Sequence, residues 1–216
     1  MNKETAVSAW VFSGIFDLYV GFYLEAFHLS KPRVFYSTMG LEKILKGYIL
    51  NECANEYENL QESESLNRID RIARRYSHNY ERMLNEIIEP QVGQPITNIL
   101  EADYLIGPEG DRNYKGRDFL EALGKVYMES RYPTAEPISD SFRANEYLNW
   151  NILHSSNLID FIYDTSIEVL KDLKGKVNLI PKMERVEESL GGTDVWRRFK
   201  NIFFKETNGN IIDFFN

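Results

Sequence analysis

Cysteine is almost missing from this chain. Cys53 stands alone, so no intramolecular disulfide can form, and a reducing compartment is expected. With no base close to it in sequence, Cys53 reads as a half-buried residue at a helix end rather than a nucleophile. Histidine is scarce as well, with three residues in 216. Glu25-Ala-Phe-His28 supplies one Glu-x-x-His step, but a di-iron bundle needs two such steps and two further glutamates, so His28 reads as a helix-end residue favoured by the C-terminal dipole. His154, beside the apolar positions of a later helix, reads as a core or interface histidine. The chain has no zinc-type Cys/His cluster, no Gly-x(4)-Gly-Lys-Ser/Thr loop, no dinucleotide fingerprint and no Gly-x-Ser-x-Gly elbow, and neither a metal nor a cofactor is expected. Only seven prolines and few alternating β-branched runs exclude a large sheet. The start Met1-Asn-Lys-Glu-Thr5 is mixed in charge and unlike a secretion signal. The uncharged run from Ala6 to Phe16, 11 residues ended by Asp17, is too short to cross a bilayer. A soluble cytoplasmic protein with no membrane partner is expected.

Apolar side chains are plentiful. They make up 43% of the residues, with thirteen Tyr, thirteen Phe and three Trp, enough for a sizeable aromatic core. The net charge of −8 works against non-specific attraction to phosphate backbones but leaves room for a local basic site.

The apolar periodicity predicts an all-α chain. A first helix runs from about Thr5 to His28, and Lys31-Pro32 breaks the chain before a second helix to about Asn55. In the second helix Leu41, Ile44, Leu45 and Tyr48 share one face, Ser37, Thr38 and Gly40 let another backbone approach, and Glu42 and Lys46 form an ion pair on the solvent side. A third helix follows the polar stretch 61–65 and continues to about Ile88. Residues 90–115 are the least regular, with a turn at Gly107-Pro-Glu-Gly110. A fourth helix covers about Arg117 to Arg131, and its last residues Arg131 and Tyr132 either contact a ligand or cap the helix end. The fifth reaches from about Ser139 to Leu173 with a ladder of Leu148, Ile152, Ile159, Ile162, Val169 and Leu173. A short apolar strand or turn, Val177–Ile180, precedes a last segment from 182 to 205 interrupted at Gly191-Gly192, and an apolar tail at 211–215 docks on the rest.

The third helix carries the clearest charge anomaly. Ile69, Ala73, Tyr76, Tyr80, Met83 and Ile87 recur at helical spacing as a core stripe. Arg68, Arg71, Arg75, His78 and Arg82 recur at spacings of three and four on nearly the opposite face. With Arg74, five of the thirteen arginines fall between 68 and 82. One reading is a solvated face neutralised by neighbouring acids such as Asp70 and Glu81. The other is a strip facing RNA or nucleotide phosphates, since the guanidinium fork matches phosphate oxygens.

Three segments, in order, resemble the HEPN domains (higher eukaryotes and prokaryotes nucleotide-binding). Tyr36-Ser-Thr-Met-Gly-Leu-Glu-Lys-Ile-Leu-Lys46 is similar to the family's second core helix. Ser77-His-Asn-Tyr-Glu-Arg-Met-Leu84 resembles its His-Asp-Leu segment, with Asn79 and Tyr80 in place of Asp and Leu. Leu120–Pro133 resembles its helix ending in Arg-Tyr-Pro. The resemblance implies an antiparallel up-and-down helical bundle over residues 1–175; residues 176–216 have no counterpart in it and are expected to form a C-terminal helical extension packed on the bundle. It also implies a homodimer and a link to nucleotide or RNA chemistry in a defence or toxin–antitoxin setting, with a nucleotidyltransferase or antitoxin as partner.

Many members are ribonucleases with an Arg-x(4–6)-His motif. Arg71 and His78 match that spacing, although Ile72 follows the arginine where a polar residue is usual. The chemistry needs no metal: His78 would move a proton at the ribose 2′-hydroxyl and Arg71 would stabilise charge on phosphorus. The expected binding residues are Arg68, Arg71, Arg75, His78, Arg82 and Arg131. The expected function is an accessory protein that binds a nucleotide or RNA. The alternatives are a metal-independent endoribonuclease and a structural interaction protein with no ligand.

Overall fold

In the computed structural model, which describes residues 1–27, 29–88, 93–106, 112–131 and 156–216, the chain is an all-α helical bundle. Its foundation is the pair α1 (Lys3–Glu25) and α2 (Ser30–Glu52), the most extensive helix–helix contact in the fold. Asn2 opens α1 as an N-cap, its side-chain oxygen accepting from the Thr5 N–H at 2.8 Å. Pro32 sits in the first turn of α2, where a missing N–H costs nothing.

Small residues set the spacing of this hairpin. A Cβ added at Gly14 would lie 2.7 Å from the Gly40 carbonyl oxygen, and one added at Gly21 would lie 2.5 Å from the Ser37 hydroxyl. Gly47 faces Val11 in the same way. Partners that descend along α2 as they ascend along α1 define an antiparallel pair with its backbones in near contact. Ser37 and Thr38 are fully buried in this seam, as expected of a small-residue approach. By length and composition α1 could cross a membrane, the one such helix among the described residues. Here 44% of its apolar window is buried in protein.

The expected continuous helix over 66–88 is two helices. The first, α3 (Glu62–Arg75), ends at Tyr76. Ser77 then takes a left-handed φ of 49°, and Asn79 caps α4 (Tyr80–Ile87), accepting from the Arg82 N–H at 2.8 Å. Cap-type residues at 77 and 79 prefer local hydrogen bonds to helix interior, which is the physical reason for the break. The core stripe survives it: Ile69, Ala73, Tyr76, Tyr80, Met83 and Ile87 are all buried.

Residues 90–115 are more ordered than the sequence reading expects. A helix α5 (Gly93–Glu101) leads into a two-stranded antiparallel hairpin, β1 (Asp103–Ile106) with β2 (Arg112–Lys115), in the register Asp103 opposite Lys115. The turn expected at 107–110 lies outside the described residues. Helix α6 (Gly116–Arg131) follows and packs on α2 and α4.

Helix α7 (Ser156–Leu173) lays Ile159, Ile162, Val169 and Leu173 into the core and is tied to α2 by Tyr48, whose hydroxyl donates to Asp172 at 2.8 Å. Leu148, Ile152 and the rest of the expected helix before Ser156 lie outside the described residues. The segment 177–180 is no strand: it leads directly into α8 (Ile180–Leu190), with Pro181 in the first turn. Thr193 caps α9 (Asp194–Phe203) just past the two glycines, and Asn210 caps a short α10 (Ile211–Phe215).

Aromatic side chains join these last helices to the bundle. Trp196 meets Tyr19 of α1 edge-on, with centroids 5.1 Å apart, while Phe203 meets Tyr163 of α7 edge-on at 5.4 Å. Phe204 continues the chain of rings to Phe214 at 5.0 Å. Edge-to-face pairs of this kind add about 0.5–1.5 kcal/mol each beyond the area they bury.

Candidate nucleic-acid interface

Among the described residues, the arginines of α3 and α4 divide into four with intramolecular partners and one without. Arg68 and Arg75 both reach Glu56, on a 3-10 turn (Ala54–Glu56) after α2. Arg68 donates to Glu56 through Nη2, and Arg75 Nη2 lies 3.4 Å away. Burial alone would raise the Glu56 carboxyl, but the two guanidiniums outweigh it and hold it below the usual carboxylate range. Arg74 Nε donates to Asp70 one turn back at 2.9 Å. Arg82 donates to the Arg75 carbonyl at 3.4 Å and lays its guanidinium 5.3 Å from the centroid of the Tyr76 ring.

Arg71 is exposed and forms no hydrogen bond or ion pair among the described residues. Arg74, Arg75 and Arg82 are exposed too and Arg68 is partly buried, and ion pairs this accessible are weak enough to re-form with an incoming anion.

His78 does not share their face. It sits in the turn between α3 and α4, so the same-face spacing inferred from a continuous helix does not apply to it. Its ring turns inward, with Nδ1 2.9 Å from Glu42 Oε2. Glu42 is 4% exposed and its pair Lys46 is 7% exposed, so their bond, 2.6 Å, belongs to the core and not to the solvent side. Burial follows because the side of α2 that carries Glu42 and Lys46 is covered by α4 and the turn before it. The Tyr80 hydroxyl lies 3.2 Å from the same Oε2 and 3.3 Å from the Thr38 carbonyl. One buried carboxylate therefore gathers an ammonium, an imidazole and a phenol. An ionised carboxylate only accepts, so in a Glu42–His78 hydrogen bond Nδ1 is the donor. This is how a carboxylate orients a histidine.

Arg71 and His78 thus lie on different elements, Arg71 on an exposed helix face and His78 in a buried-network turn. The side chain of Arg131 lies outside the described ones, as do His28 and His154. Glu25, the other half of the Glu-x-x-His step, pairs with Arg33 at 2.8 Å. Burial, with Glu56 next in effect, pushes the Cys53 thiol up to about 11, so it is protonated at neutral pH and a poor nucleophile. Among the described residues no three His, Cys, Asp or Glu side chains converge as metal ligands would.

The sequence reading missed Glu42, Lys46 and Tyr80 as neighbours of His78. Their spacing carries no signal for it, because 36 residues separate Glu42 from His78. It missed as well a cleft of about 410 Å3 between α5, α7 and the C-terminal helices, lined by residues from all three. No family model matches this chain, and no curated protein or solved structure does.

Proposed function

We propose that this chain is a HEPN-like accessory protein that binds the phosphates of RNA or a nucleotide along the exposed arginine face of α3 and α4. It would act as a cytoplasmic homodimer in a defence or toxin–antitoxin setting, beside an antitoxin or nucleotidyltransferase. The observation that carries the reading is Arg71: an exposed guanidinium with no hydrogen bond or ion pair among the described residues, set among exposed Arg74, Arg75 and Arg82 and partly buried Arg68 in a chain of net charge −8. Most of that negative charge lies elsewhere, so the strip is a local attraction set in a repulsive surround, a pattern that favours a bound, oriented phosphate over diffuse association. Arg131 stays in the proposed set on sequence grounds alone.

A second reading, a metal-independent ribonuclease using Arg71 and His78, is favoured by the Glu42–His78 contact. A histidine held at Nδ1 by a buried carboxylate is oriented as a general acid or base requires.

One experiment addresses both. Labelled single-stranded RNA is titrated with the protein in EDTA at several salt concentrations, and the same samples are run on a denaturing gel. Arg71→Glu is expected to weaken binding about tenfold and to flatten the salt dependence by about one counter-ion. Equal affinity of parent and variant, or no RNA binding by the parent at low salt, overturns the binding reading. Cleavage that survives EDTA and disappears in His78→Ala is what the ribonuclease reading requires, and intact RNA at high protein concentration removes it.

A further inference from the structure

Helix α1 shows water a face without charge. Between Thr5 and Leu24 its one charged residue is Asp17, which is largely buried and paired with Lys43 at 2.5 Å. The outward side chains are Phe12, Phe16, Val20, Tyr23 and, in the turn just beyond the helix, Phe27. They recur at spacings of four, four, three and four, which is one stripe of an α-helix. Phe16, Tyr23 and Phe27 are between 41% and 57% exposed, and Phe12 and Val20 are half-buried. The rings lie side by side: Phe12 stacks on Phe16 with centroids 6.5 Å apart, and Tyr23 meets Phe27 at 5.1 Å. Toward the N-terminus the stripe continues as exposed Ala9 and Thr5.

The flank of the stripe is neutralised as well. Arg33, Tyr36 and Lys43 recur on one side of α2. Arg33 pairs with Glu25 and Lys43 with Asp17, which brings that side against the edge of the stripe and sets Tyr36, 37% exposed, beside it. An aromatic side chain has roughly 200 Å2 of surface, so Phe16, Tyr23, Phe27 and Tyr36 leave about 350 Å2 of ring in water. An apolar patch of that size is the mark of an interaction surface. A stable interface buries at least about 1,200 Å2 over both partners, about two-thirds of it apolar at the core, and two copies of these four rings supply about 700 Å2 of that apolar share. A membrane surface fits less well, because interfacial helices carry free Lys and Arg beside their apolar face. Here the flanking Arg33 and Lys43 are already engaged.

We propose that this face binds a second copy of the chain, α1 against α1 in antiparallel, with the two-fold axis at Phe16. The stripe is symmetric in spacing about that residue. Thr5, Ala9 and Phe12 precede it by 11, 7 and 4 positions, and Phe27, Tyr23 and Val20 follow it by the same numbers. Across a two-fold, a residue faces the one equally far on the other side. Phe16 therefore meets its own copy, the small Ala9 faces the large Tyr23, and Thr5 faces Phe27. Large opposite small is the alternation that lets facing helices interdigitate. Charge agrees, because each copy carries a net −8 and two copies approach most readily along a face that holds no free charge. The pairing rests on the homodimer of the reading above, for which it supplies the face, and does not involve the arginines.

The test is sedimentation equilibrium of the full chain at micromolar concentration, without RNA. The parent is expected at twice its 25.3 kDa mass. Phe16→Glu sets two carboxylates against each other at the axis and is expected to weaken pairing at least about a hundredfold, with the far-UV spectrum of the parent kept. Ala9→Trp sets two large side chains face to face and is expected to weaken pairing as well. Adding Tyr23→Ala to it exchanges large for small and is expected to restore pairing. A parent at single-chain mass, with or without affinity for phosphatidylcholine vesicles, overturns the proposal. So does a Phe16→Glu variant that stays paired, or a Tyr23→Ala exchange that rescues nothing. RNA plays no part in these measurements, so loss of the arginine-face reading leaves their outcome unchanged.

Discussion

Glu42 shows what a single side chain does in this fold. It is a charged residue in a dry position, and it is tolerated because Lys46, His78 and Tyr80 all bring a proton to its two oxygens. Removing it does more than delete a contact, because Lys46, itself 7% exposed, would be left as a buried cation without a counter-charge. Breaking a buried pair from one side costs about 3–5 kcal/mol. Glu42→Ala is therefore expected to lose that much in urea unfolding, while Tyr80→Phe, which deletes one neutral donor, loses about 1 kcal/mol. A loss for Glu42→Ala no larger than that for Tyr80→Phe would mean that the carboxylate does not organise the network. The Glu42–Lys46 spacing was readable as an ion pair. Its burial was not, because helical periodicity says which residues share a face and not which face a distant segment will cover.

At the scale of elements, the α1–α2 hairpin depends on what is missing from it. An alanine at Gly14 gains about 1 kcal/mol in helix propensity. Its Cβ, however, would lie 2.7 Å from both the Gly40 carbonyl oxygen and Ile44 Cγ1, and 3.1 Å from the Ile44 nitrogen. Two of these are backbone atoms that cannot swing aside, so overpacking of about 1–3 kcal/mol outweighs the propensity gain. Gly14→Ala is expected to lower the midpoint of thermal unfolding, whereas Gly192→Ala, with no atom within 4 Å, is expected to leave it within about 0.5 kcal/mol of the parent. Similar midpoints for the two variants would show that α1 and α2 can separate without penalty.

The break between α3 and α4 belongs to the same scale. Ser77 and Asn79 are cap-type residues, yet the apolar stripe across 69–87 runs on at helical spacing through both of them. Two short helices can bury the same stripe as one long helix, provided the turn between them returns Tyr80 to the core.

For the molecule as a whole, the response to acid separates two kinds of carboxylate. Glu56 has a depressed value in the folded state, so its stabilising effect is present above the ordinary glutamate range and is lost as pH falls through the lower folded value. Asp164, although exposed, has a raised value because partial desolvation outweighs Lys205, so its charge is a cost at neutral pH that fades as pH falls and the group takes up a proton. Thermal unfolding of Glu56→Gln and Asp164→Asn from neutral pH to about pH 3, below both ordinary values, is expected to give differences of opposite sign. Glu56→Gln starts below the parent and Asp164→Asn starts above it, and both converge with the parent in acid. Differences of the same sign would contradict the assigned environments.

The amino-acid order by itself determined that this chain is helical. The 3.6-residue recurrence of its apolar side chains, the shortage of proline and alternating β-branched runs, and the caps and glycines at element ends are local properties that act within one or two turns. It likewise determined that arginine would crowd one stretch, since that is a matter of composition. Only the tertiary structure decided that His78 turns inward to Glu42 while Arg71 stays in water, that an ion pair one turn apart lies in the core, and that α5, α7 and the C-terminal helices border a cleft. Each of these depends on contacts between residues far apart in the chain, where burial and electrostatics are set by what folds on top and not by what lies next in sequence.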